Sequence, residues 1–185
     1  MSLVAGKGDI LQGPQRSPGV LPEAGLPPMY DLIELMFFAY RDLVTDTDHM
    51  LAALGFGRAH HRLLHFVARY PGLTIAELLD ILQVTKQSLN RVLKDMADRN
   101  YIEIRSGIND RRQRQLYPTA RGEVLAREIV LLQSRRFARS FGSLPEGARP
   151  QAQAFLLSMV DPGRRAKIAA MTGVGVMLGS EGSQR

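Results

Sequence analysis

From Met29 onward, apolar residues recur every three or four positions. Leu32, Leu35, Met36, Ala39, Tyr40 and Leu43 mark one helical face, and Ile33, Phe37 and Phe38 make other faces apolar too. A helix that is apolar nearly all round must be covered on several sides, and a small domain has few elements to cover it. A partner chain is therefore expected there. Gly55-Phe56-Gly57 ends this helix, and a second is predicted over Arg58–Arg69, with Leu63, Leu64, Phe66 and Val67 inside. Pro71-Gly72 stops it. Thr74, with Glu77 three residues on, has the spacing of a capping box. The short helix it opens is expected to bury Ile75, Leu78, Leu79 and Leu82. After the tight Gln83-Val84 connection, a helix from Thr85 to about Arg99 turns Leu89, Val92, Leu93 and Met96 inward. Its opposite face shows Lys86, Gln87, Asn90, Arg91 and Lys94. Two short helices joined this closely, the second with a basic face, form a helix-turn-helix pattern.

The period then changes. Tyr101–Arg105 reads as a strand, Gly107–Asp110 as a turn, and Arg111–Tyr117 as the returning strand. Thr119 and Gly122 open a long helix with Val124, Leu125, Ile129 and Leu132. Another helix is expected after Pro150, with Ala154, Phe155, Leu157 and Val160. Asp161-Pro162 starts a last one that ends near Met171. Residues 1–28 carry five prolines and five glycines and read as an arm; the Gly-rich stretch from 173 reads as a loose tail.

Composition narrows the chemistry. With 185 residues and 45% hydrophobic content, the chain suits one sizeable ordered domain with helical extensions. The absence of cysteine removes disulfides, thiolate metal sites and catalytic thiols. No apolar run is long enough to span a bilayer, since Glu34, Arg41 and Asp42 interrupt the best candidate. Met1–Pro28 lacks the basic start and apolar stretch of a signal peptide. A soluble cytoplasmic protein is expected. Catalysis is not: no nucleophile elbow is present, and GKGD at 6–9 lacks the spacing of a phosphate-binding loop.

The net charge of +6 points to an anionic partner. From Val84 to Thr119, eight basic and four acidic residues leave +4, so most of the excess sits in about a fifth of the chain. A helix with such a face suits the major groove of DNA, whose base edges show a distinct donor and acceptor pattern. The first residues of a recognition helix do the reading. These are Thr85, Lys86, Gln87, Ser88, Asn90 and Arg91, with Lys94, Arg105 and Arg111 assigned to phosphates. In NDRRQRQLYPT, residues 109–119, an arginine at a hairpin tip can reach the adjacent minor groove, where negative potential favours guanidinium. Asp110 and Arg112 fall on one strand face, so that Asp110 can hold Arg112 extended, and Arg114 continues that face.

Residues 57–122, GRAHHRLLHFVARYPGLTIAELLDILQVTKQSLNRVLKDMADRNYIEIRSGINDRRQRQLYPTARG, resemble the MarR family of winged-helix transcription regulators. The specific features are PGLTIAELLDIL, the recognition helix TKQSLNRVLKDM, the RNYI lead-in to the wing, Asp110-x-Arg112, and the closing Leu116-Tyr117-Pro118-Thr119-x-x-Gly122. The resemblance covers about a third of the chain. It implies a mainly α fold with a small β-hairpin wing: a winged helix-turn-helix domain over 55–122, flanked by N-terminal (29–54) and C-terminal (123–172) dimerisation helices. It further implies a homodimer on a palindromic operator of double-stranded DNA, Arg112 in the minor groove oriented by Asp110, and repression relieved by a small aromatic or lipophilic effector bound between the dimer helices and the winged helix. Oxidant sensing through cysteine, used by some members, is excluded here.

Other readings stay open at this stage. The winged helix can instead serve protein assembly or nonspecific nucleic-acid binding. His61 and His65, four residues apart on one helix, have a zinc-ligand spacing, with His60 and His49 nearby, so a metal-responsive regulator is a third reading. Against it, that helix contains no carboxylate, and packing or capping explains histidines there; no cofactor is expected. Tyr30, Phe37, Phe38, Tyr40, Phe56 and Phe66 can line an effector pocket or simply form core.

Overall fold

The computed structural model describes residues 27–107 and 113–174. The elements in order are α1 (Tyr30–Ala53), α2 (Arg58–Arg69), β1 (Leu73–Thr74), α3 (Ile75–Leu82), α4 (Lys86–Asp98), β2 (Ile102–Ser106), β3 (Arg114–Pro118), α5 (Ala120–Gly142), α6 (Ala148–Ser158) and α7 (Pro162–Thr172). The chain divides into two compact units, Met1–Asp42 and Leu43–Arg185. In the first, the apolar side chains of α1 are exposed, among them Ile33 (65%), Leu35 (63%) and Phe37 (64%), and Phe37 meets Phe38 edge-on.

The second unit has one core. Leu51, Phe56, Leu63, Leu64, Val67, Leu78, Leu89, Val92, Leu93, Met96, Tyr101, Ile102, Leu116, Leu125, Ala126 and Ile129 form a single buried cluster. The stripe predicted for α4 is buried throughout. Elsewhere the burial is narrower than the sequence pattern suggests. In α3 Leu78 alone is fully buried, with Ile75, Leu79 and Leu82 packed against the edge of the cluster. In α5 the inner residues are Leu125, Ala126 and Ile129, while Val124 is 57% exposed. In α6 Leu157 is buried and Phe155 is exposed. That helix begins at Ala148, so Pro150 lies in its first turn, where a missing N–H removes no helical bond.

The ends of the helices follow local chemistry. Thr74 accepts from the Glu77 amide at 3.2 Å, and the Thr74 amide donates to Glu77 Oε2 at 2.8 Å. These bonds from Thr74, first of the amide and then of the hydroxyl, hold the Glu77 carboxyl below its ordinary pKa. At the end of α1, the amides of Gly55 and Phe56 close onto the Ala52 and Leu51 carbonyls, a Schellman ending with Gly55 at φ +70°. α4 ends the same way, with Asn100 at φ 59°.

The wing is part of a three-stranded antiparallel sheet in the order β1-β3-β2. The third strand, β1, was not expected: Leu73 pairs with Leu116 and Thr74 with Gln115. On the core face Ile104 lies opposite Leu116, which extends the row begun by Leu73. The β2–β3 ladder runs from Ile102–Pro118 to Ser106–Arg114, and the Gly107 amide donates to the Gln113 carbonyl at 2.8 Å. The returning strand thus starts at Arg114 among the described residues, and Asp110, Arg111 and Arg112 lie outside them. Among the described residues, no helix is long and apolar enough to cross a membrane.

Candidate nucleic-acid interface

The turn between α3 and α4 sets the direction of α4. Gln83 takes the left-handed conformation, φ 51°, and its side-chain amide donates to the Asp80 carbonyl at 2.7 Å. Asp80 also pairs with Lys167 of α7, and Arg164 donates to its carbonyl at 3.4 Å. Thr85 is the N-cap of α4 rather than its first helical residue. Its hydroxyl oxygen accepts from the Ser88 amide at 3.2 Å, which commits one lone pair before any base is met.

Beyond that cap, Lys86, Gln87, Ser88, Asn90, Arg91 and Lys94 are all exposed. Lys86 and Asn90 line a cleft of about 700 Å³ with Thr74–Glu77 and Leu79 on one side and Gln113 and Arg114 of the wing base on the other. The structure thus joins the start of the recognition helix to Arg114. Gln113, which drew no assignment from the sequence, sits in the same cleft.

The cations are not equivalent. Among the described residues, the side chains of Lys86, Arg91 and Arg114 form no hydrogen bond or ion pair and remain available to a polyanion. Lys94 pairs with Asp98 one turn on, and this bond raises its pKa. Arg105 pairs with Glu103 and lies over the Tyr117 ring at 4.2 Å, so a phosphate contact must compete with both.

The histidines separate into different roles. His60 Nδ1 accepts from the Gly57 amide at 3.1 Å, its Nε2 is 3.0 Å from Asp95 Oδ2, and its ring stacks on Phe56. Gly57 and His60 have capping-box spacing, the signal that could have found this arrangement. His61 and His65 meet edge to face with centroids 6.5 Å apart, and His49 is exposed. Among the described residues, no three metal-ligating side chains converge.

Burial lowers the pKa of His61, reinforced by His65 and only partly opposed by Asp48. Burial, then Arg69, lowers that of His65. Both rings favour the neutral form in the folded chain, while the unfolded chain binds protons near the ordinary value of 6.5. Their contribution is complete above that value and is lost as pH falls below it towards the folded values. The denaturant midpoint should fall between about pH 7.5 and about pH 5, and His61→Leu should flatten that slope. An unchanged slope in the variant refutes the assignment.

Phe56 stacks within the core and Phe66 is half-buried, while Tyr30, Phe37, Phe38 and Tyr40 are exposed in the first unit. A second cleft, of about 400 Å³ between α2 and α5, is lined by His65, Ala68, Arg69, Glu123, Ala126, Arg127 and Val130, none of them the aromatics expected.

A sequence profile described as the MarR family matches residues 54–113. The HTH-type transcriptional regulator PetP of Rhodobacter capsulatus is 45% identical over 137 residues, 72% of this chain and 80% of PetP. Among solved structures, Streptococcus pneumoniae FabT in complex with DNA matches with a TM-score of 0.64 and 15% identity, over 71% of this chain and 94% of FabT. A MarR transcriptional regulator from Methanosarcina mazei matches at 0.61 and 20% identity, over 74% and 99%. At such identities the structures speak for the fold, and the sequence relatives for the family. With a profile match across the helix-turn-helix and a relative this similar over most of its length, the chain belongs to the MarR family of winged helix-turn-helix transcription regulators, which are not enzymes.

Proposed function

We propose that this regulator is a sequence-specific homodimer that reads a palindromic operator in double-stranded DNA, and that it represses until a small ligand releases it. The observation that carries the DNA reading is the cleft where Lys86 and Asn90 of α4 face Gln113 and Arg114 of the wing, with the unpaired cations Lys86 and Arg114 in its lining. Lys86, Gln87, Ser88, Asn90 and Arg91 enter the major groove, with Thr85 holding the helix start. Lys94, Arg105 and Arg111 meet phosphates, and Arg112, held by Asp110, enters the minor groove with Arg114 continuing the same wing face. FabT, with the same fold, is found in complex with DNA, which supports the reading. The exposed apolar residues of α1, together with Phe137 of α5 and Leu156 of α6, support a second copy as cover for residues 29–54 and 123–172. The cleft between α2 and α5 has the size and mixed lining of a small-molecule site, with Arg69 and Arg127 beside Ala126 and Val130.

The test is selection of bound sequences from a random duplex pool at fixed physiological salt, followed by affinity against a scrambled duplex. The expected result is a palindrome with half-sites about one helical turn apart, bound about 10³-fold above the control. No enriched sequence would favour protein assembly or nonspecific binding. On the selected duplex, Arg112→Ala should lose about 1–3 kcal/mol. An unchanged affinity removes Arg112 from the interface.

A further inference from the structure

Asp95 lies in the C-terminal half of α4, nine residues after Lys86 and beyond the groove-reading positions. Its Oδ2 is 3.0 Å from His60 Nε2 and 3.8 Å from Arg99 Nη1. Because His60 Nδ1 accepts from the Gly57 amide, a neutral ring carries its proton on Nε2 and donates it to Asp95. Arg99 in turn donates from Nη2 to the Leu54 carbonyl at 2.5 Å, and its guanidinium lies 3.9 Å over Phe56. Phe56 stacks on His60 at 4.8 Å. One carboxylate and one guanidinium thus bind the turn that closes α1 to the end of the recognition helix. Arg99 also satisfies a carbonyl that the end of α1 leaves without a helical partner.

We infer that Asp95 is a positioning residue for DNA reading, which locks α4 to the Leu54–His60 turn through His60 and Arg99. The inference rests on the proposed role of α4 in the groove. The other holds on α4 from the core are Leu89, Val92, Leu93 and Met96, and apolar burial is non-directional. Hydrogen bonds set direction as well as distance. At 1.5 Å per residue Lys86 is roughly 14 Å along the axis from Asp95, so a pivot of about 10° there moves Lys86 by about 2 Å. That is enough to break a base contact while leaving the helix folded and its phosphate contacts adaptable.

The experiment uses the full chain, the selected duplex and a scrambled duplex of equal length. For Asp95→Ala the ratio of the two affinities should fall about tenfold. Affinity for the scrambled duplex should hold or rise, because a negative charge has left the neighbourhood of a polyanion. Hydrogen exchange at the Gly57 amide, which His60 protects, should accelerate together with exchange in the last turn of α4. Asp95→Asn keeps an acceptor for His60 and should retain a ratio within about threefold of wild type. It also serves if the alanine variant fails to fold. An unchanged ratio in Asp95→Ala overturns the inference. So does a parallel loss on both duplexes, which marks general destabilisation, or an asparagine variant as poor as the alanine, which assigns the effect to charge. If wild type itself prefers no sequence, the operator reading has failed instead; the lock is then judged by exchange alone, and a Gly57 amide unmoved by Asp95→Ala overturns it.

Discussion

Gly122→Ala should cost about 3 kcal/mol or more, the largest stability loss expected from the removal of a single glycine here. A Cβ at this position would stand 2.0 Å from the Tyr101 carbonyl oxygen and 3.0 Å from its carbon. Overpacking against a side chain is partly relieved by a rotamer change, but here the obstacle is backbone. Neither side can yield cheaply. The Tyr101 carbonyl accepts from the Thr119 amide at 3.1 Å, and the residue is 2% exposed, its ring edge-on to Phe56 and beneath the Arg121 guanidinium at 4.3 Å. On the other side, the Gly122 amide donates to the Thr119 hydroxyl in the cap of α5. With a total stability on the order of 5–15 kcal/mol, the loss takes a large fraction of it. Gly142→Ala is the matched control. It lies at the end of the same helix with nothing within 4 Å of the added carbon, and alanine is the better helix former. Its denaturant midpoint should hold or rise. A Gly122→Ala midpoint within error of wild type would refute the close approach of α5 to the Tyr101 backbone just before β2.

Gly122 could be picked out from the sequence as the opening of a helix, but not as a point of close approach. Its neighbour across the gap is 21 positions away, and nothing local records the distance between them. The same limit explains the other departures. Thr74 with Glu77, Thr119 with Gly122 and Asp161 with Gly163, behind Pro162 in the first helical position, are caps whose partners lie within three residues, and each opens its helix where the local sequence indicates. The buried face of α4 was legible because four apolar residues fall on one stripe. By contrast, β1 is two residues long, too short for any alternation to register, and it exists because Leu116 supplies a partner more than 40 positions on. Val124 and Phe155 are apolar residues at helical spacing that are exposed in the chain by itself. Periodicity reports which residues share a face, not what that face meets.

The candidate interface was legible as a set of residue types and less so as a set of commitments. Sequence assigns Lys86 to the major groove, Lys94 and Arg105 to phosphates and Arg114 to the wing face, with no sign of which are already paired; geometry leaves Lys86 and Arg114 unpaired and ties Lys94 and Arg105 to carboxylates. Thr85 reads as a groove residue by position, yet its oxygen closes the helix. The His60–Asp95 contact spans 35 positions and joins two helices, so neither residue could be singled out alone. Asp110 and Arg112, the pair most specific to the family resemblance, lie outside the described residues, and their role stands as proposed above.

Replacing Lys86 and Asn90 together by alanine should lower affinity for the selected duplex by about 3 kcal/mol, roughly a hundredfold. The two single variants should differ in kind. Asn90 is neutral and exposed one turn after Lys86 in the same cleft. Its amide can pair in bidentate fashion with adenine, so Asn90→Ala should lose about 1–3 kcal/mol on the selected duplex and little on a scrambled one. Its salt dependence should stay as in wild type. Lys86 carries an unpaired charge at the positive end of the α4 dipole, so in the major groove it adds attraction for any duplex to its base contact. Lys86→Ala should weaken binding to both duplexes and reduce the slope of log affinity against log salt by about 1. Lys94→Ala should do less than Lys86→Ala, because freeing Lys94 for phosphate means giving up Asp98. The measurement is a salt titration of each variant on both duplexes. If Asn90→Ala changes the salt slope, or if Lys94→Ala weakens binding more than Lys86→Ala, the start of α4 is not where bases are read, and the groove-facing surface must be redrawn around its C-terminal half.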